Sequence, residues 1–351
     1  MKQAAKRRGI QAAKKAVSGR AALWRATGRA APVGLSLLAL IASAFGSTAS
    51  AQSWPARPIR YIVPFPPGGG TDTSARLMAP TLSSELGQQV VIENRPGAGG
   101  MIGVEQAAKA APDGYTMVQA TVGQVSINPN LLRKLSFDPD KDLAPVALTG
   151  DLFNVLVVHP ALPVRSVSDL VVLARKRPGE LNFSSSGVGV PDHLAGELFQ
   201  IMTKTKMVHV PYKGGPLAMA DLVAGNVQLM FATVASSIGM VKANKLRPIA
   251  ITNGKRFPGM PQLPTIGEAG IPGFAVDNWT GVFVPAGTPK EIITRLNTGF
   301  AKAVGVPETR TRLLGSGIGV ASSTPEQFAT FIQKETAKWK KVIANANVRI
   351  D

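Results

Sequence analysis

Short β-type runs alternate with segments of helical periodicity from Trp54 to the end of the chain. This alternation is typical of α/β proteins, in which helices cover the faces of a mostly parallel sheet. The pattern predicts nine strands, with helices between most of them. The predicted strands are 59–63, 90–92, 116–120, 155–158, 181–183, 207–210, 228–231, 248–251 and 281–284.

Two Thr-Pro steps mark helix starts near the end of the chain. In 288–291 and in 324–327, a threonine precedes a proline, and a Glu or Gln follows three residues after the threonine. This is the pattern of an N-cap, a first helical proline and a capping-box partner. The sequence therefore predicts helices at both places, with Thr288 and Thr324 as N-caps.

The first 51 residues carry nine basic side chains and no acidic one. An apolar run at 33–45 follows the basic region, and the small residues Ala49 and Ala51 come after it. A basic region, a short apolar core and an Ala-x-Ala site, in that order, predict a secretory signal peptide. We expect cleavage after Ala51, so that the mature protein begins at Gln52 and is exported to the periplasm.

The leader also supplies half of the positive charge. The whole chain has a net charge of +18, whereas 30 basic and 21 acidic residues remain after the leader, a net charge of +9. The remaining basic residues are scattered and form no block of five or six, so we expect no binding to nucleic acid.

The chain has no cysteine, which excludes disulfides, thiolate metal sites and cysteine nucleophiles. No later apolar stretch approaches the roughly 18 residues of a membrane span.

Motifs of several common enzyme classes are absent from the sequence. The patterns HExxH, GxSxG and GxxxxGK[ST] do not occur, which removes the main support for a zinc protease, an α/β-hydrolase or a P-loop nucleotidase. The three histidines, His159, His193 and His209, show no spacing typical of metal ligands. We therefore expect no metal, no cofactor and no enzymatic activity.

Two turns of small residues stand out, each between a predicted strand and a predicted helix. The first, 64–72, has the sequence PFPPGGGTD, and the second, 184–189, has the sequence SSSGVG. Glycine lets a ligand approach the backbone closely, and the helix N-termini that follow favour an anion. Ligands of open α/β sheets bind at the carboxyl ends of the strands, so the two turns predict facing walls of one cleft. The structural alternative is a plain tight turn with Asp72 as an N-cap.

The chain is expected to form two domains without a low-complexity linker between them. Domain 1 is predicted to be discontinuous, comprising 52–150 plus 278–351, and domain 2 to comprise 151–277. We expect a hinge where the chain crosses between them, near 150–152 and 277–278, about which the domains close on a ligand.

Motifs in a fixed order carry a family resemblance over nearly all of the chain from Trp54 onward. They are VPFPPGGGTD at 63–72, IENRPGAGG at 92–100, PDGYT at 112–116, INPNL at 127–131, SSGVGVPDHLAGELF at 185–199, VHVPYKGG at 208–215, VQLMF at 227–231 and PAGTP at 285–289. The chain resembles the Bug (Bordetella uptake gene), or TctC-like, substrate-binding proteins of tripartite tricarboxylate transporters.

The resemblance implies a type II periplasmic binding protein, a "Venus flytrap" with the ligand cleft between two α/β domains. It implies that backbone amides, hydroxyls and waters hold a small organic acid. The partners would be the membrane components of a tripartite tricarboxylate transporter, and the protein would be a monomer. The residues expected at the ligand are Phe65, Gly69, Gly70, Thr71, Asp72, Thr121, Gln124 and Asn128 in domain 1, and Ser185, Ser186, Gly187, His193 and Thr233 in domain 2.

One departure from the family remains. Many members have Asp-Asn where this chain has Ala232-Thr233, which removes an acid that a ligand ammonium group would need.

Two alternative functions remain open. In the first, the ligand-loaded protein docks on a membrane receptor and acts as a sensor with the same fold and cleft. A secreted hydrolase would use a serine of 184–186 with His193, although no acidic partner marks a triad. The sequence leaves open which carboxylate is bound.

Overall fold

Eleven strands and eleven α-helices make up the part of the chain that the computed structural model describes, residues 54–132 and 135–346. The predicted leader and its cleavage site after Ala51 lie outside the described residues. The strands are β1 (Ile59–Val63), β2 (Val90–Asn94), β3 (Thr116–Thr121), β4 (Leu143–Leu152), β5 (Asn154–Val158), β6 (Asn182–Ser185), β7 (Val208–Pro211), β8 (Leu229–Thr233), β9 (Arg247–Ile251), β10 (Asn278–Pro285) and β11 (Ile318–Val320).

The helices lie mainly between the strands, as the alternating pattern predicts. They are α1 (Gly70–Leu86), α2 (Met101–Ala108), α3 (Asn128–Leu131), α4 (Pro139–Asp142), α5 (Val167–Lys176), α6 (Pro191–Thr203), α7 (Gly215–Ala224), α8 (Val234–Lys242), α9 (Lys290–Gly305), α10 (Pro307–Gly315) and α11 (Pro325–Ala346). A 3₁₀ turn (Ala98–Gly100) precedes α2, and a π-helical turn (Gly123–Ile127) precedes α3.

The strands form two sheets, which define two lobes. The sheet of lobe 1 has six strands in the order β11-β4-β10-β3-β1-β2, and the sheet of lobe 2 has five in the order β7-β6-β8-β5-β9. β1 is parallel to β2 and β3, and β6 is parallel to β7 and β8, whereas β10 and β5 run antiparallel to their neighbours. The expected α/β fold with two domains is confirmed.

The chain crosses between the lobes twice, once between β4 and β5 and once just before β10. The boundary predicted after residue 150 falls inside β4, because this strand continues to Leu152. The second crossing lies at 277–278, where the hinge was expected. Ion pairs lie at both crossings: Lys255 Nζ is 2.7 Å from Asp151 Oδ2, and Lys338 Nζ is 3.0 Å from Asp277 Oδ2.

Each of the nine predicted strands overlaps a strand of the structure, but two strands were missed. β4 was not predicted as a strand, and only its end, near 150–152, was expected to be the crossing between domains; β11 has only three residues. The predicted cap of α11 is confirmed, because the Gln327 amide donates to Thr324 Oγ1 (3.2 Å) and Gln327 Oε1 accepts from the Thr324 amide (3.0 Å). The predicted cap of α9 is wrong: Pro289 is the N-cap, and the Thr288 hydroxyl donates to the Pro285 carbonyl instead.

Within the described ranges, none of the helices combines the length and the apolar composition that crossing a membrane would require. Helix α11 instead packs on the sheet of lobe 1 through aromatic contacts. The ring of Trp279 in β10 meets Phe328 and Phe331 of α11 edge-on, at centroid distances of 5.6 and 5.5 Å. This contact brings the C-terminal segment back onto lobe 1 and completes the discontinuous lobe.

Candidate functional site

A cleft lies where the two lobes face each other, and its empty space, including the part open to solvent, is about 540 Å³. Lobe 1 contributes Phe65, Pro66, Gly69, Gly70, Thr71, Thr121, Leu152 and Asn278 to its lining, and lobe 2 contributes Asn154, Ser186, Val190, Pro191, Asp192, Gly215, Pro216, Met230, Thr233 and Ser236. The residues expected from the sequence that lie in this lining are Phe65, Gly69, Gly70, Thr71, Thr121, Ser186 and Thr233. Those that lie outside it are Asp72, Gln124, Asn128, Ser185, Gly187 and His193.

The first turns of four helices converge on this cleft. They contribute Gly70 and Thr71 of α1, Pro191 and Asp192 of α6, Gly215 and Pro216 of α7, and Ser236 of α8 next to its cap Thr233. Each helix has nine residues or more, so its N-terminus carries the positive end of a helix dipole.

The cleft has neither basic side chains nor a metal-binding cluster among the described residues. No Lys or Arg of the described chain lines it, and within the same residues no group of three His, Cys, Asp or Glu could hold a metal. The arrangement suits an anion held by neutral donors.

The first turn of α1 offers free backbone donors. The amides of Gly70, Thr71 and Asp72 have no acceptor among the described residues, as expected for the start of a helix. The first turns in lobe 2 are partly occupied: α6 and α7 each have a proline at one of their first two positions, and the Ser236 amide donates to Thr233 Oγ1. The Gly215 amide at the start of α7 also has no acceptor among the described residues, so both lobes offer free amides to the cleft, and α1 offers three adjacent ones.

Asp72 lies behind the loop that leads into α1. Its carboxylate accepts hydrogen bonds from the Gly68 amide (3.0 Å), Asn94 Nδ2 (2.8 Å) and Arg76 Nε (2.9 Å). Burial raises the pKa of Asp72, but these hydrogen bonds outweigh burial and hold the pKa below its usual value of 3.8. The structure thus places Asp72 where it fixes the loop, rather than in the lining where the sequence led us to expect it.

The serine loop, residues 184–189 after β6, is hydrogen-bonded within itself. Three of its amides donate to side chains of the loop and of α6: Ser186 N to Asp192 Oδ2 (2.7 Å), Gly187 N to Ser185 Oγ (3.3 Å), and Gly189 N to His193 Nδ1 (3.2 Å). The family resemblance implied that such amides bind the ligand. In this structure they instead fix the shape of the loop, and Ser186 is the loop residue that lines the cleft.

Two buried histidines stack behind the serine loop. The ring centroids of His193 and His209 are 4.0 Å apart, and His209 Nε2 lies 2.6 Å from Ser185 Oγ. Burial and the neighbouring His209 lower the pKa of His193 to about 3. Burial alone lowers the pKa of His209 to about 4. Both rings are neutral at neutral pH. Ser185 and His193, expected at the ligand, support the loop from behind.

Asp192 is the one carboxylate that lines the cleft within the described chain. It sits in the first turn of α6 and is 5% exposed. Burial raises its pKa to about 6, although hydrogen bonds donated by Ser186 and His193 oppose the shift. An anion entering the cleft would raise this pKa further, because two like charges disfavour each other's ionised form.

Gln124 and Asn128 lie outside the cleft lining: Gln124 bonds within lobe 1, and Asn128 lies at the contact between the lobes. Gln124 Oε1 accepts from the Thr121 amide (2.8 Å), and its Nε2 donates to the Gly99 carbonyl. Asn128 lies against Gly189 of the serine loop, so closely that a Cβ at Gly189 would come within 2.2 Å of Asn128 Oδ1. Glycine at 189 is required both by this approach and by its φ of +74°.

The lobes are closed on each other at the edge of the cleft. A Cβ at Gly187 would lie 3.3 Å from the Gly99 Cα of the opposite lobe, so the two backbones are in van der Waals contact. Beside this contact is a second chamber, which shares Phe65, Pro66 and Ser186 with the cleft and has about 620 Å³ of empty space including the part open to solvent. Gly187 lies here, with the exposed Lys213.

Sequence reasoning missed the floor of the cleft. Asn278 begins β10 and pairs with Leu152, while Asn154 begins β5 and pairs with Thr233. The two asparagines are buried and joined, since Asn278 Nδ2 donates to Asn154 Oδ1 (3.1 Å). The signal that would have found them was their position at the two predicted crossings between domains.

A family model matches most of the chain. It is TctC, described as "Tripartite tricarboxylate transporter family receptor", and it matches residues 74–348. Among curated proteins, a "UPF0065 protein in tcbD-tcbE intergenic region" of Pseudomonas sp. (strain P51) is 40% identical over 301 residues, covering 84% of this chain and 89% of that protein. "Protein BugT" of Bordetella pertussis is 36% identical over 302 residues, covering 86% of this chain and 93% of BugT.

Solved structures share the same fold. Rpa4515 of R. palustris, determined with adipate, has a TM-score of 0.82 and 39% identity, over 84% of this chain and 99% of its own. MatC of Rhodopseudomonas palustris, determined with bound malate, has a TM-score of 0.79 and 33% identity, over 83% of this chain and 100% of its own. These similarities extend over both lobes and the cleft.

Proposed function

The chain belongs to the TctC family of tripartite tricarboxylate transporter receptors, and from that premise we propose that it captures a small carboxylate-bearing metabolite in its interlobe cleft. It delivers this ligand to the membrane components of a tripartite tricarboxylate transporter. The observation that carries the proposal is the convergence of four helix N-termini on a cleft to which the described residues contribute no Lys or Arg. The similarity to proteins determined with adipate and with malate supports a carboxylate as the ligand.

The proposed binding mode relies on lobe 1 for its main donors. One ligand carboxylate lies at the first turn of α1, where it accepts from the free amides of Gly70, Thr71 and Asp72. The hydroxyls of Thr71 and Ser186, with ordered waters, complete its hydrogen bonds. Each hydrogen bond to a charged acceptor contributes about 1.5–3 kcal/mol, so three or four offset much of the cost of removing the carboxylate from water.

A hydrolase is a weaker explanation of the same cleft. A nucleophilic serine must be accessible and must have a base that an acid orients. Ser185 has a histidine at 2.6 Å, but its side chain is fully buried and also lies 2.8 Å from the Gly187 carbonyl oxygen. His193, the base considered from the sequence, accepts from the Gly189 amide instead. These contacts favour a structural role for both side chains.

A ligand screen tests the proposed function. Thermal unfolding of the protein from Gln52 onward is followed with C4 to C6 dicarboxylates, tricarboxylates, aromatic acids and their uncharged amides. A true ligand at 100 times its Kd raises the free energy of unfolding by about 2.7 kcal/mol. Its uncharged amide should leave the melting temperature unchanged. If no organic acid raises the melting temperature, the proposal fails.

Export to the periplasm is part of the proposal. We expect the protein recovered from the periplasm to begin at Gln52, because Ala49 and Ala51 occupy the small-residue positions of a cleavage site. N-terminal sequencing of that material is the measurement. A protein that keeps its leader and remains in the cytoplasm would contradict a transport role.

Binding is expected to strengthen as the pH falls, because of Asp192. The free protein has an Asp192 pKa of about 6, and the bound anion raises it, so binding takes up a proton between the two values. The affinity therefore falls as the pH rises through this window, by about three- to tenfold from about pH 6 to about pH 7.5. Titration calorimetry with a fully ionised ligand measures the change. Asp192→Asn should remove the pH dependence; an equal dependence in that variant would exclude Asp192 as its source.

A further inference from the structure

A chain of hydrogen bonds at the floor of the cleft fixes the orientation of two side-chain amides. Asn154 Nδ2 donates to the Phe231 carbonyl (2.9 Å), which can only accept. Asn154 Oδ1 must therefore face Asn278, and the Asn278 group that meets it must be the donor, Nδ2, at 3.1 Å. The remaining atom of that amide, Asn278 Oδ1, is consequently fixed as a hydrogen-bond acceptor.

This acceptor is buried and unpaired. Asn278 lines the cleft and is 5% exposed, and no donor from the described residues reaches its Oδ1. Buried polar atoms in folded proteins are nearly always hydrogen-bonded, and leaving one unpaired is costly. The Asn154 amide behind it cannot rotate to relieve the problem, because its own two partners are fixed.

The acceptor lies close to the proposed carboxylate position. Asn278 pairs with Leu152, and Leu152 Cδ2 lies 3.5 Å from where a Cβ on Gly70 would be. Gly70 supplies one of the free amides in the first turn of α1. Leu152 is therefore next to both the Gly70 backbone and Asn278, and Gly70, Leu152 and Asn278 all line the cleft.

We propose that Asn278 determines specificity, by requiring a hydrogen-bond donor on the ligand near its carboxylate, and that the preferred ligands are hydroxycarboxylic acids. The inference rests on the proposed function and names the class of carboxylate. A ligand hydroxyl donates to Asn278 Oδ1 and pairs the buried acceptor. A ligand with a methylene at that position leaves the acceptor unpaired in the closed cleft.

A hydroxyl fits this position better than an ammonium group. Asn278 is neutral, and Thr233 and Ser236 beside it are neutral as well. The acid of the cleft, Asp192, already accepts the amides of Ser186 and His193 on its two oxygens. A charged ammonium group would therefore lose its water without gaining a free carboxylate partner.

Matched acids that differ by one hydroxyl test the proposal on the unmodified protein. The pairs are malate and succinate, and 2-hydroxyglutarate and glutarate, with each enantiomer titrated separately because a single acceptor distinguishes configurations. We expect one enantiomer to bind about 10- to 100-fold more tightly than its deoxy partner, the range expected when a buried acceptor is left unpaired. Asn278→Leu should reduce that ratio to within about threefold. Thr280→Val, a buried change on the same strand whose hydroxyl bonds to the Ala120 carbonyl, should leave the ratio unchanged.

The titrations distinguish a failure of the specificity proposal from a failure of the proposed carboxylate-binding function. If succinate and glutarate bind as tightly as their hydroxy partners, the specificity proposal is wrong while the carboxylate-binding function stands. The specificity proposal is also wrong if Asn278→Leu keeps the preference for the hydroxy acid, or if the matching 2-amino acids bind more tightly than the hydroxy acids. If none of these acids binds, the proposed function itself fails for this class. The titrations on the unmodified protein decide the question even if Asn278→Leu does not fold.

Discussion

Gly69→Val should abolish carboxylate binding while the fold survives. The backbone at Gly69 has φ −77° and ψ 167°, which any residue adopts, and the nearest atom to an added Cβ is the Pro66 carbonyl oxygen at 3.8 Å. Gly69 lines the cleft directly before the free amides of α1. The valine side chain would separate the ligand from those amides, and losing two charge-assisted hydrogen bonds costs about 3–6 kcal/mol, or about 100-fold or more in Kd.

Lys213→Ala provides the contrast for this experiment. Lys213 is exposed and lies in the second chamber, outside the main lining. Its removal should lower the affinity by less than about threefold, mainly through slower association, since a charge at the rim steers an anion. Titration calorimetry measures both variants, and circular dichroism checks folding. A larger loss for Lys213→Ala than for Gly69→Val would show that an ion pair holds the ligand, against the amide mechanism.

Asp72→Ala should lower both stability and affinity. The Asp72 carboxylate is 2% exposed and satisfies the Gly68 amide, Asn94 and Arg76. Removing it leaves these donors without their acceptor and releases the loop that aims the α1 amides at the cleft. We expect a loss of about 3 kcal/mol in the free energy of unfolding, together with weaker binding. Urea denaturation and calorimetry measure the two effects.

Arg76→Gln is the matched control for Asp72→Ala. The Arg76 side chain is 50% exposed, and its loss leaves Asp72 with the Gly68 and Asn94 donors, so the free energy of unfolding should fall by less than about 1 kcal/mol.

The pH dependence of stability gives a second check on Asp72. Because the folded pKa of Asp72 is lowered, its stabilisation is present above the usual pKa and is lost as the pH falls through the folded value. The loss of stability on acidification should therefore be smaller in Asp72→Ala than in the unmodified protein; an unchanged acid profile would contradict the assignment.

The sequence predicted the fold well where local patterns decide it. The predicted strands are short and mostly apolar runs, and the Thr324 cap is a local interaction, so neither needs tertiary information. The sequence did not predict β4 because Pro145 and Gly150 are unusual inside a strand. In the structure, β4 accommodates this composition at register shifts, where Pro145 pairs with Phe283 near one and Gly150 pairs with Thr280 beside the other.

The cleft was only partly predictable, and the reason is competition for donors. The loops at 64–72 and 184–189 do face each other, as expected from their place after strands. The sequence does not show that Asp192 and His193 take up the amides of the serine loop, because those contacts depend on how α6 meets the loop. Likewise, Asn154 and Asn278 are far apart in sequence and become neighbours only where the two crossings lie side by side.

The grouping of free amides in α1 leads to an expectation about the order of binding. Three adjacent amides are free at the start of α1, whereas in lobe 2 prolines replace one donor each in α6 and α7 and the Ser236 amide is already bonded. We therefore expect the ligand to contact lobe 1 first and lobe 2 to close over it afterwards. Association should accordingly depend on changes in α1, whereas changes on the lobe 2 wall should act mainly on the residence time of the ligand.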